Sequence, residues 1–272
     1  MQPQPLAISD PAPSQGTGFA LGSLALAARA EWLNRRWAEA PTDRILAEAI
    51  DLAFKDRIAV VSSFGAEAAV LLHLVAQVDK ATPILFLETG KHFLETLTYR
   101  DILIDRFGFT DARSLEPSPA DLAREDPAGD LWSKQPNRCC HLRKVEPLQR
   151  ALAGRDAWLT GQRRAHGPER ARLAVEEWDD ARGIAKFNPL ALWTDDSVWH
   201  YVDRHQLPTN PLHAKGYASI GCEPCTRAIH ADEDPRAGRW WWEAGHTKEC
   251  GLHITAAASA QQRVAASREG TP

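Results

Sequence analysis

The chain has 272 residues, 44% of them hydrophobic and 25% charged, a composition typical of a globular protein with a full core. Its formal net charge of −4 argues against a globally basic surface for nucleic acid or an anionic membrane. No apolar run approaches the length of a membrane span and the N-terminus lacks signal-peptide character, so we expect a cytoplasmic protein with neither nucleic-acid nor membrane partners.

Two tails flank the part of the chain that is expected to fold. Residues 1–22 are rich in Gln, Pro, Ala, Ser and Gly, and residues 255–272 have a similar composition. Such segments bury too little apolar surface to offset the entropy lost on ordering. We therefore expect two disordered tails around a single domain at residues 23–254, with a mobile C-terminal segment at about 226–254.

Between these tails, short apolar runs alternate with amphipathic stretches. The pattern predicts strands at 57–61, 83–87 and 157–160 and helices at 66–78 and 94–107, with a further helix that ends near residue 152. Strands separated by helices in this way indicate βαβ units and a doubly wound, mostly parallel α/β sheet. After about Thr194 the density of Trp, Pro, His and Cys predicts a site-building lid instead of a regular strand-helix unit.

The first predicted strand runs into Ser62, Ser63 and Gly65, a turn of small residues that leads into a helix. Backbone N–H groups of such a turn form an anion site together with the helix dipole. No Walker motif is present, and a helix cap by Ser63 is the ordinary alternative. A second polar turn at 88–91 follows the next strand, so the two turns together predict a nucleotide cleft at the sheet edge.

Five cysteines need an explanation other than a disulfide framework, because we expect a reducing compartment. Four of them form a paired-ligand pattern: Cys139 and Cys140 are adjacent, and Cys222 and Cys225 form a Cys-x-x-Cys. Four thiolates bind zinc or an iron-sulfur cluster. Adjacent side chains diverge, which favours a cluster over one small ion; buried apolar thiols with a separate redox pair are the alternative.

Lys144 and Cys250 are the two remaining candidates. Lys144 follows Cys140 by four residues, so on a helix its ammonium would share the face of a ligand, although a solvated surface lysine is the alternative. Cys250 lies between Gly245 and Gly251, in a setting that suits either a thiol that reaches into a cleft or an inert exposed thiol.

Seven motifs, in one order, resemble those of the assimilatory reductases of adenylyl sulfate (APS) and phosphoadenylyl sulfate (PAPS), in particular the Cys-Cys-bearing APS reductases. They extend over about Phe54 to His253, and the ordered set is far more specific than any single motif. The motifs are at 63–67, 88–91, 139–148, 160–164, 221–226, 238–243 and 248–253.

The resemblance implies an adenine-nucleotide α-hydrolase-like fold with a pyrophosphatase-type loop at 62–67. It also implies Cys250 as the nucleophile. The cysteines that it assigns to a 4Fe-4S cluster are Cys139, Cys140, Cys222 and Cys225. The residues that it assigns to substrate binding are Ser62, Ser63, Gly65, Lys144, Gly161, Arg170, Arg236 and Arg239.

The implied activity is reduction of APS to sulfite and AMP through an S-sulfocysteine on Cys250, with thioredoxin or a glutaredoxin-like protein as the electron donor. The sequence departs from the family pattern in two places. Glu88 stands where relatives often have Asp, and residues 165–168 replace a more common acidic or Gln/Ser-containing run. The second departure leaves the alignment of Arg170 open.

Three alternatives remain at this point. A PAPS reductase would use the same Cys250 chemistry, although the resemblance associates the cluster cysteines with APS. An ATP-dependent thiolation or adenylation enzyme of the same fold, with zinc on the four cysteines, and a non-catalytic nucleotide-binding module are the others; neither explains the setting of Cys250. The sequence does not decide whether the chain forms a homo-oligomer. The three tryptophans at Trp240–Trp242 are compatible with a cover over the cleft, a partner surface or core packing.

Overall fold

The computed structural model describes residues 32–37, 39–167, 170–243 and 252. Both predicted tails lie outside these residues, so their disorder stays a prediction. Within the described part of the chain, no helix is long and apolar enough to cross a membrane.

A six-stranded sheet forms the centre of the fold, with the strand order β3-β2-β1-β4-β6-β5. All neighbouring strands are parallel except β5, which is antiparallel to β6. The strands are β1 (Ile58–Ser62), β2 (Ile84–Leu87), β3 (Ala112–Leu115), β4 (Ala157–Thr160), β5 (Glu176–Asp179) and β6 (Ile184–Phe187). The predicted doubly wound, mostly parallel α/β sheet is confirmed.

The helices connect these strands and cover both faces of the sheet. They are α1 (32–37), α2 (Thr42–Ala47), α3 (Ala68–Val78), α4 (Leu94–Phe107), α5 (Pro119–Glu125), α6 (Leu131–Lys134), α7 (Pro136–Cys140), α8 (Glu146–Leu152) and α9 (Asp195–Arg204). A π-helical segment, Glu48–Ala53, follows α2, and another, His141–Val145, joins α7 to α8.

Side chains alternate along the central strands and divide the core into two layers. Ile58 and Val60 of β1 pack into the larger layer with α2, α3, α4 and α9. Ala59 faces the smaller layer with α8, and Leu252 also packs there. Burial on both faces explains why β1, β2 and β4 are continuous apolar runs that the sequence pattern could identify.

The irregular region begins later in the chain than the sequence pattern predicted. Asp195–Arg204 forms the regular helix α9, and the Thr194 hydroxyl caps it by accepting the Ser197 N–H at 3.1 Å. Beyond α9, residues 205–243 form loops with short 3-10 turns at His213–Lys215 and Glu223–Cys225. Arg236, Arg239 and Trp240 are buried there, and the mobility expected for about 226–254 stays a prediction.

Candidate functional site

The loops that leave β1, β2 and β4 surround a cleft of about 390 Å³ at the carboxyl edge of the sheet. Ser62, Leu87 and Thr160, the last residues of these strands, all line it. Ligands of open parallel sheets bind at this edge, and the volume is that of a small-molecule site. The turn after β1 lines the cleft as predicted, whereas Thr89 and Lys91 of the second polar turn line a separate cavity that contains the four paired cysteines.

All eight residues assigned to substrate binding by the resemblance line this cleft. They come from the β1 loop, the segment after α7, the loop after β4 and the region beyond α9. These residues are Ser62, Ser63, Gly65, Lys144, Gly161, Arg170, Arg236 and Arg239. The fold therefore brings them to one surface, and their individual roles remain proposals.

Hydrogen bonds to the backbone of Phe64 fix the conformation of the β1 loop at the cleft. Phe64 has a φ of 49°, and its N–H donates to Ser62 Oγ at 3.2 Å. Its carbonyl accepts from the Asn210 amide at 3.1 Å, while its buried ring packs edge-on against Phe86. The α3 N-cap is Glu67, with no side-chain cap, so the alternative in which Ser63 caps the helix is wrong. Ser63 is exposed at the cleft.

The region beyond α9 contributes two buried arginines, Arg236 and Arg239, to the lining of the cleft. The Arg239 guanidinium lies over the Trp240 ring, 4.5 Å from its centroid, and donates to Ser219 Oγ at 3.5 Å. Gly221 permits this arrangement, because a Cβ there would overlap the Arg239 guanidinium. Buried guanidinium groups attract an anion strongly, so this part of the lining suits a phosphate or sulfate group.

A network of charged side chains links the β1 loop to the loop after β4. Arg163, 2% exposed, donates to Glu67 with Nη2 at 2.6 Å and Nε at 3.2 Å. His166 Nε2 also lies in hydrogen-bond contact with the Glu67 carboxylate. Burial would raise the pKa of Glu67, but the His166 contact and the Arg163 charge lower it overall. Glu67 is therefore an anion that anchors both neighbours.

The four paired cysteines line a second, smaller cavity, and all four are buried. Cys222 Sγ lies 3.3 Å from Thr89 Oγ1. Burial raises the pKa of Cys225 to about 12 and raises the pKa of Cys139. Burial therefore favours the neutral thiol at Cys139 and Cys225, and a metal that binds them displaces their protons.

Two side chains, Lys144 and Trp240, line both the cysteine cavity and the cleft. Lys144 is 8% exposed, so the alternative of a solvated surface lysine is wrong. Beside it Arg143 forms a buried ion pair with Asp126, Nη2 to Oδ2 at 2.5 Å, and donates to the Thr89 carbonyl at 2.6 Å. The cavity thus has a cationic side that faces the cleft.

The donor set of the cavity fits a sulfur-ligated cluster. Its four thiols are soft ligands, and the adjoining cations offset the negative charge of a thiolate cluster. The Nε of Arg143, which lines the cavity, is buried without a hydrogen-bond partner. Within the described ranges, no three His, Cys, Asp or Glu side chains are placed to hold a single metal ion.

Some residues of the cleft were not assigned from the sequence. Trp199 and His213 stack at 4.5 Å in the region predicted to be irregular, where no periodic pattern identifies them. Glu67, Arg163 and His166 lie in or beside the motifs at 63–67 and 160–164, so those motifs were the available signal.

Cys250 and two of its neighbours, Lys248 and Gly251, lie outside the described residues. The candidate nucleophile is therefore an assignment from the sequence motif. Leu252, two residues further along the chain, is 8% exposed and lines the cleft while packing against the α8 layer.

Comparison with known proteins gives one consistent family. Residues 57–228 match the phosphoadenosine phosphosulfate reductase domain. An adenosine 5'-phosphosulfate reductase of Mesorhizobium japonicum is 50% identical over 203 residues, which cover 74% of this chain and 78% of the relative. One of Burkholderia cepacia is 49% identical, covering 74% and 82%.

Two further matches bear the name of the related PAPS enzyme. A phosphoadenosine 5'-phosphosulfate reductase of Gloeobacter violaceus is 42% identical, covering 82% of this chain and 92% of the relative. The crystal structure of a PAPS reductase from Candida auris in its phosphate complex superposes with a TM-score of 0.62 at 25% identity, covering 74% and 97%. The two groups of relatives differ in the nucleotide that their names state.

Proposed function

The chain belongs to the phosphoadenosine phosphosulfate reductase domain family, and from this membership we propose that it reduces APS to sulfite and AMP in sulfate assimilation. The enzyme class is adenylyl-sulfate reductase with thioredoxin as the donor. Three relatives that are 45–50% identical carry the APS reductase name, which supports APS over PAPS as the substrate.

One structural observation carries the proposal. Four buried thiols line a cavity that shares Lys144 with a cleft walled by Arg236 and Arg239, at the nucleotide-binding edge of the sheet. This arrangement places a sulfur-ligand site beside an anion site that suits a phosphosulfate. A zinc-dependent thiolation enzyme, the alternative on this fold, gives no role to Cys250.

The reaction proceeds in three displacements on sulfur. The Cys250 thiolate attacks the sulfur of APS, the bond from sulfur to the bridging phosphate oxygen breaks, and AMP leaves with that electron pair. A thioredoxin thiolate then attacks Cys250 Sγ, sulfite leaves, and the second thioredoxin thiol resolves the mixed disulfide. The thioredoxin dithiol thus supplies the two electrons that convert sulfate-level sulfur to sulfite.

The described residues neutralise and orient the anion before the first displacement. Backbone groups of the loop at Ser62, Ser63 and Gly65, together with Gly161, would hold the nucleotide at the sheet edge. The guanidinium groups of Arg170, Arg236 and Arg239 would bind the phosphosulfate oxygens, because they remain charged and accept bidentate geometry. Fixing the substrate makes the attack effectively intramolecular.

The cysteine cavity would hold a 4Fe-4S cluster on Cys139, Cys140, Cys222 and Cys225. When bound, the cluster supplies a fixed local charge and rigidity instead of a redox step. Lys144 reaches both cavities, so its ammonium would extend the cationic wall toward the sulfate. We propose a cytoplasmic location and a thioredoxin or glutaredoxin-like partner, and the oligomeric state remains open.

The test is to incubate the anaerobically purified protein with APS in the absence of thioredoxin and to measure its intact mass. We expect a sulfo adduct on Cys250, release of one AMP per adduct and release of sulfite when thioredoxin is added. PAPS in a parallel incubation decides between the two nucleotides. A Cys250→Ser protein with normal turnover would contradict the mechanism, and a colourless protein with bound zinc would contradict the cluster.

A further inference from the structure

His166 contacts Glu67, the carboxylate that anchors Arg163, and it also contacts Arg170, an arginine that lines the cleft. Its Nδ1 lies 3.2 Å from the Arg163 backbone N–H and 3.0 Å from Nη1 of Arg170. Both of these partners are donors, so Nδ1 must carry the lone pair, and the ring proton is assigned to Nε2. Nε2–H then donates to Glu67 Oε1. The imidazole is therefore neutral and held in one tautomer.

The partners of His166 are themselves fixed. Arg163 is almost fully buried and, besides Glu67, it donates to the Trp193 carbonyl at 3.1 Å and to Asp195 Oδ1 at 2.8 Å. A ring bonded at both nitrogens to such groups has little freedom to turn. Arg170 has a long side chain with several rotatable bonds, so each contact that it makes, including the one with His166, restricts its position in the cleft.

We propose that His166, as the neutral imidazole, is a positioning residue that holds the Arg170 guanidinium toward the anionic end of the bound nucleotide. The inference rests on the proposed function only in taking that anion to be the phosphosulfate. His166 accepts a hydrogen bond from Arg170, acts through it and does not itself react.

The charges around His166 make this contact sensitive to pH. The groups that face the ring are Glu67 from the β1 loop, Arg163 and Arg170 from its own loop, and Asp195 of α9 through Arg163. Burial lowers the pKa of His166, the charges of Arg163 and Arg170 add to this effect, and Glu67 opposes it. Protonation of Nδ1 would remove the acceptor and place a cation against Arg170. Affinity for the anion should then fall as the pH falls through this pKa.

Two substitutions distinguish a positioning role of His166 from a purely structural one. His166→Leu removes the contacts with Arg163, Glu67 and Arg170. We expect it to raise the KM for APS about 10-fold with little change in kcat, because the Arg170 guanidinium loses one charge-assisted contact. His166→Gln should rescue most of that loss, because an amide can donate to Glu67 and accept from Arg170 without titrating. His200→Leu, which alters an exposed histidine on α9, is the matched control.

The deciding measurement is equilibrium binding of AMP and of adenosine to the anaerobic holoenzyme, from mildly alkaline to mildly acidic pH. We expect His166→Leu to weaken AMP binding and to leave adenosine binding unchanged, since adenosine lacks the anion. The phosphate of AMP itself titrates near pH 6 with every variant. The difference in acid loss of AMP affinity between the wild type and His166→Gln therefore reports the contribution of the imidazole. We expect the acid loss of AMP affinity to be smaller in His166→Gln.

Equal effects on AMP and adenosine, or an unchanged acid loss in His166→Gln, would overturn the inference. Binding results of the expected kind in a protein that forms no sulfo adduct with APS would instead reject the proposed function and leave the positioning role intact.

Discussion

The cleft and the cysteine cavity share Lys144 and Trp240, yet they are built in different ways. The wall of the cleft consists of charged groups that already pair with one another, such as Glu67 with Arg163. In the cysteine cavity, burial raises the pKa of Cys139 and raises the pKa of Cys225 to about 12. The charged groups of the cleft are therefore in place without a cofactor, whereas Cys139 and Cys225 become anionic ligands only when a metal displaces their protons.

This difference predicts how ligand affinity and metal binding respond to substitutions in each region. Removal of single contacts from a preorganised charged wall should lower the affinity for the nucleotide in steps, because the other contacts stay in place. A metal site behaves as a unit, because binding of the metal and deprotonation of its ligands are coupled. The two regions should consequently respond to different variants and in different assays.

The largest effect is expected from a change in the cysteine cavity. Cys225→Ser should abolish the cluster absorption and lower APS reduction by more than about 100-fold, beyond the loss typical of outer-shell changes. AMP binding should persist, because the cleft wall is built without the thiols. Anaerobic absorption spectra, turnover and AMP titration measure the three quantities.

Wild-type protein from which the cluster has been removed by a chelator is the control for this experiment, since it should show the same pattern without a mutation. A brown, active Cys225→Ser protein, or an equal loss of AMP binding, would show that the two regions are not independent.

The next effect concerns stability, at the buried pair of Arg143 and Asp126. These side chains are 9% and 0% exposed, so Arg143→Leu leaves an uncompensated buried charge. We expect the free energy of unfolding to fall by about 3–5 kcal/mol, and the double variant with Asp126→Leu to recover most of it. Denaturant unfolding of the cluster-free protein measures both.

The exposed pair of Arg57 and Asp156, at 57% and 48% exposure, provides the matched control. Arg57→Leu should change the free energy of unfolding far less than Arg143→Leu does, because solvent screens the Arg57 pair. Similar losses for the two arginine variants would contradict the view that burial gives the Arg143 pair its importance.

The sequence predicted those parts of the fold and of the two sites that a short stretch of residues is enough to indicate. β1, β2 and β4 are buried on both faces, so their apolar runs identified them, and the spacing of the four cysteines indicated one ligand set. β3 and β5 lie at the two edges of the sheet and carry charged residues, so no apolar run marks them.

The network around Glu67 was harder to foresee. His166 and Arg163 meet Glu67 across about 100 positions of the chain, and only the pairing of β1 with β4 brings them together. Their spacing in the sequence carries no periodic signal. The helix α9 was missed for a different reason, since its aromatic and histidine content resembled that of the loops that follow it.

A third and smaller effect compares two glycines beyond α9. A methyl group at 221 would meet the guanidinium of Arg239, whereas one at 238 would meet the backbone carbonyl of Arg227. Gly221→Ala should therefore displace a side chain and raise the KM for APS about 10-fold. Gly238→Ala must instead shift the backbone, so it should mainly lower the thermal stability.

Steady-state kinetics and thermal unfolding of both variants test this contrast. If Gly221→Ala unfolds as easily as Gly238→Ala and binds APS normally, the Arg239 guanidinium does not depend on the close approach at Gly221.

The smallest effect is expected at two helix caps, one beside each region. Thr194 caps α9, which carries Asp195 and Trp199 into the cleft, while Ser118 Oγ accepts the Asp121 N–H at 3.4 Å and caps α5. Removal of either hydroxyl by substitution with Ala should cost about 1 kcal/mol of stability. Only Thr194→Ala should also weaken AMP binding, because it loosens the helix whose Asp195 pairs with Arg163. Denaturant unfolding and AMP titration of the two variants measure this, and equal AMP affinities would mean that the contacts with Glu67 and the Trp193 carbonyl hold Arg163 in place without Asp195.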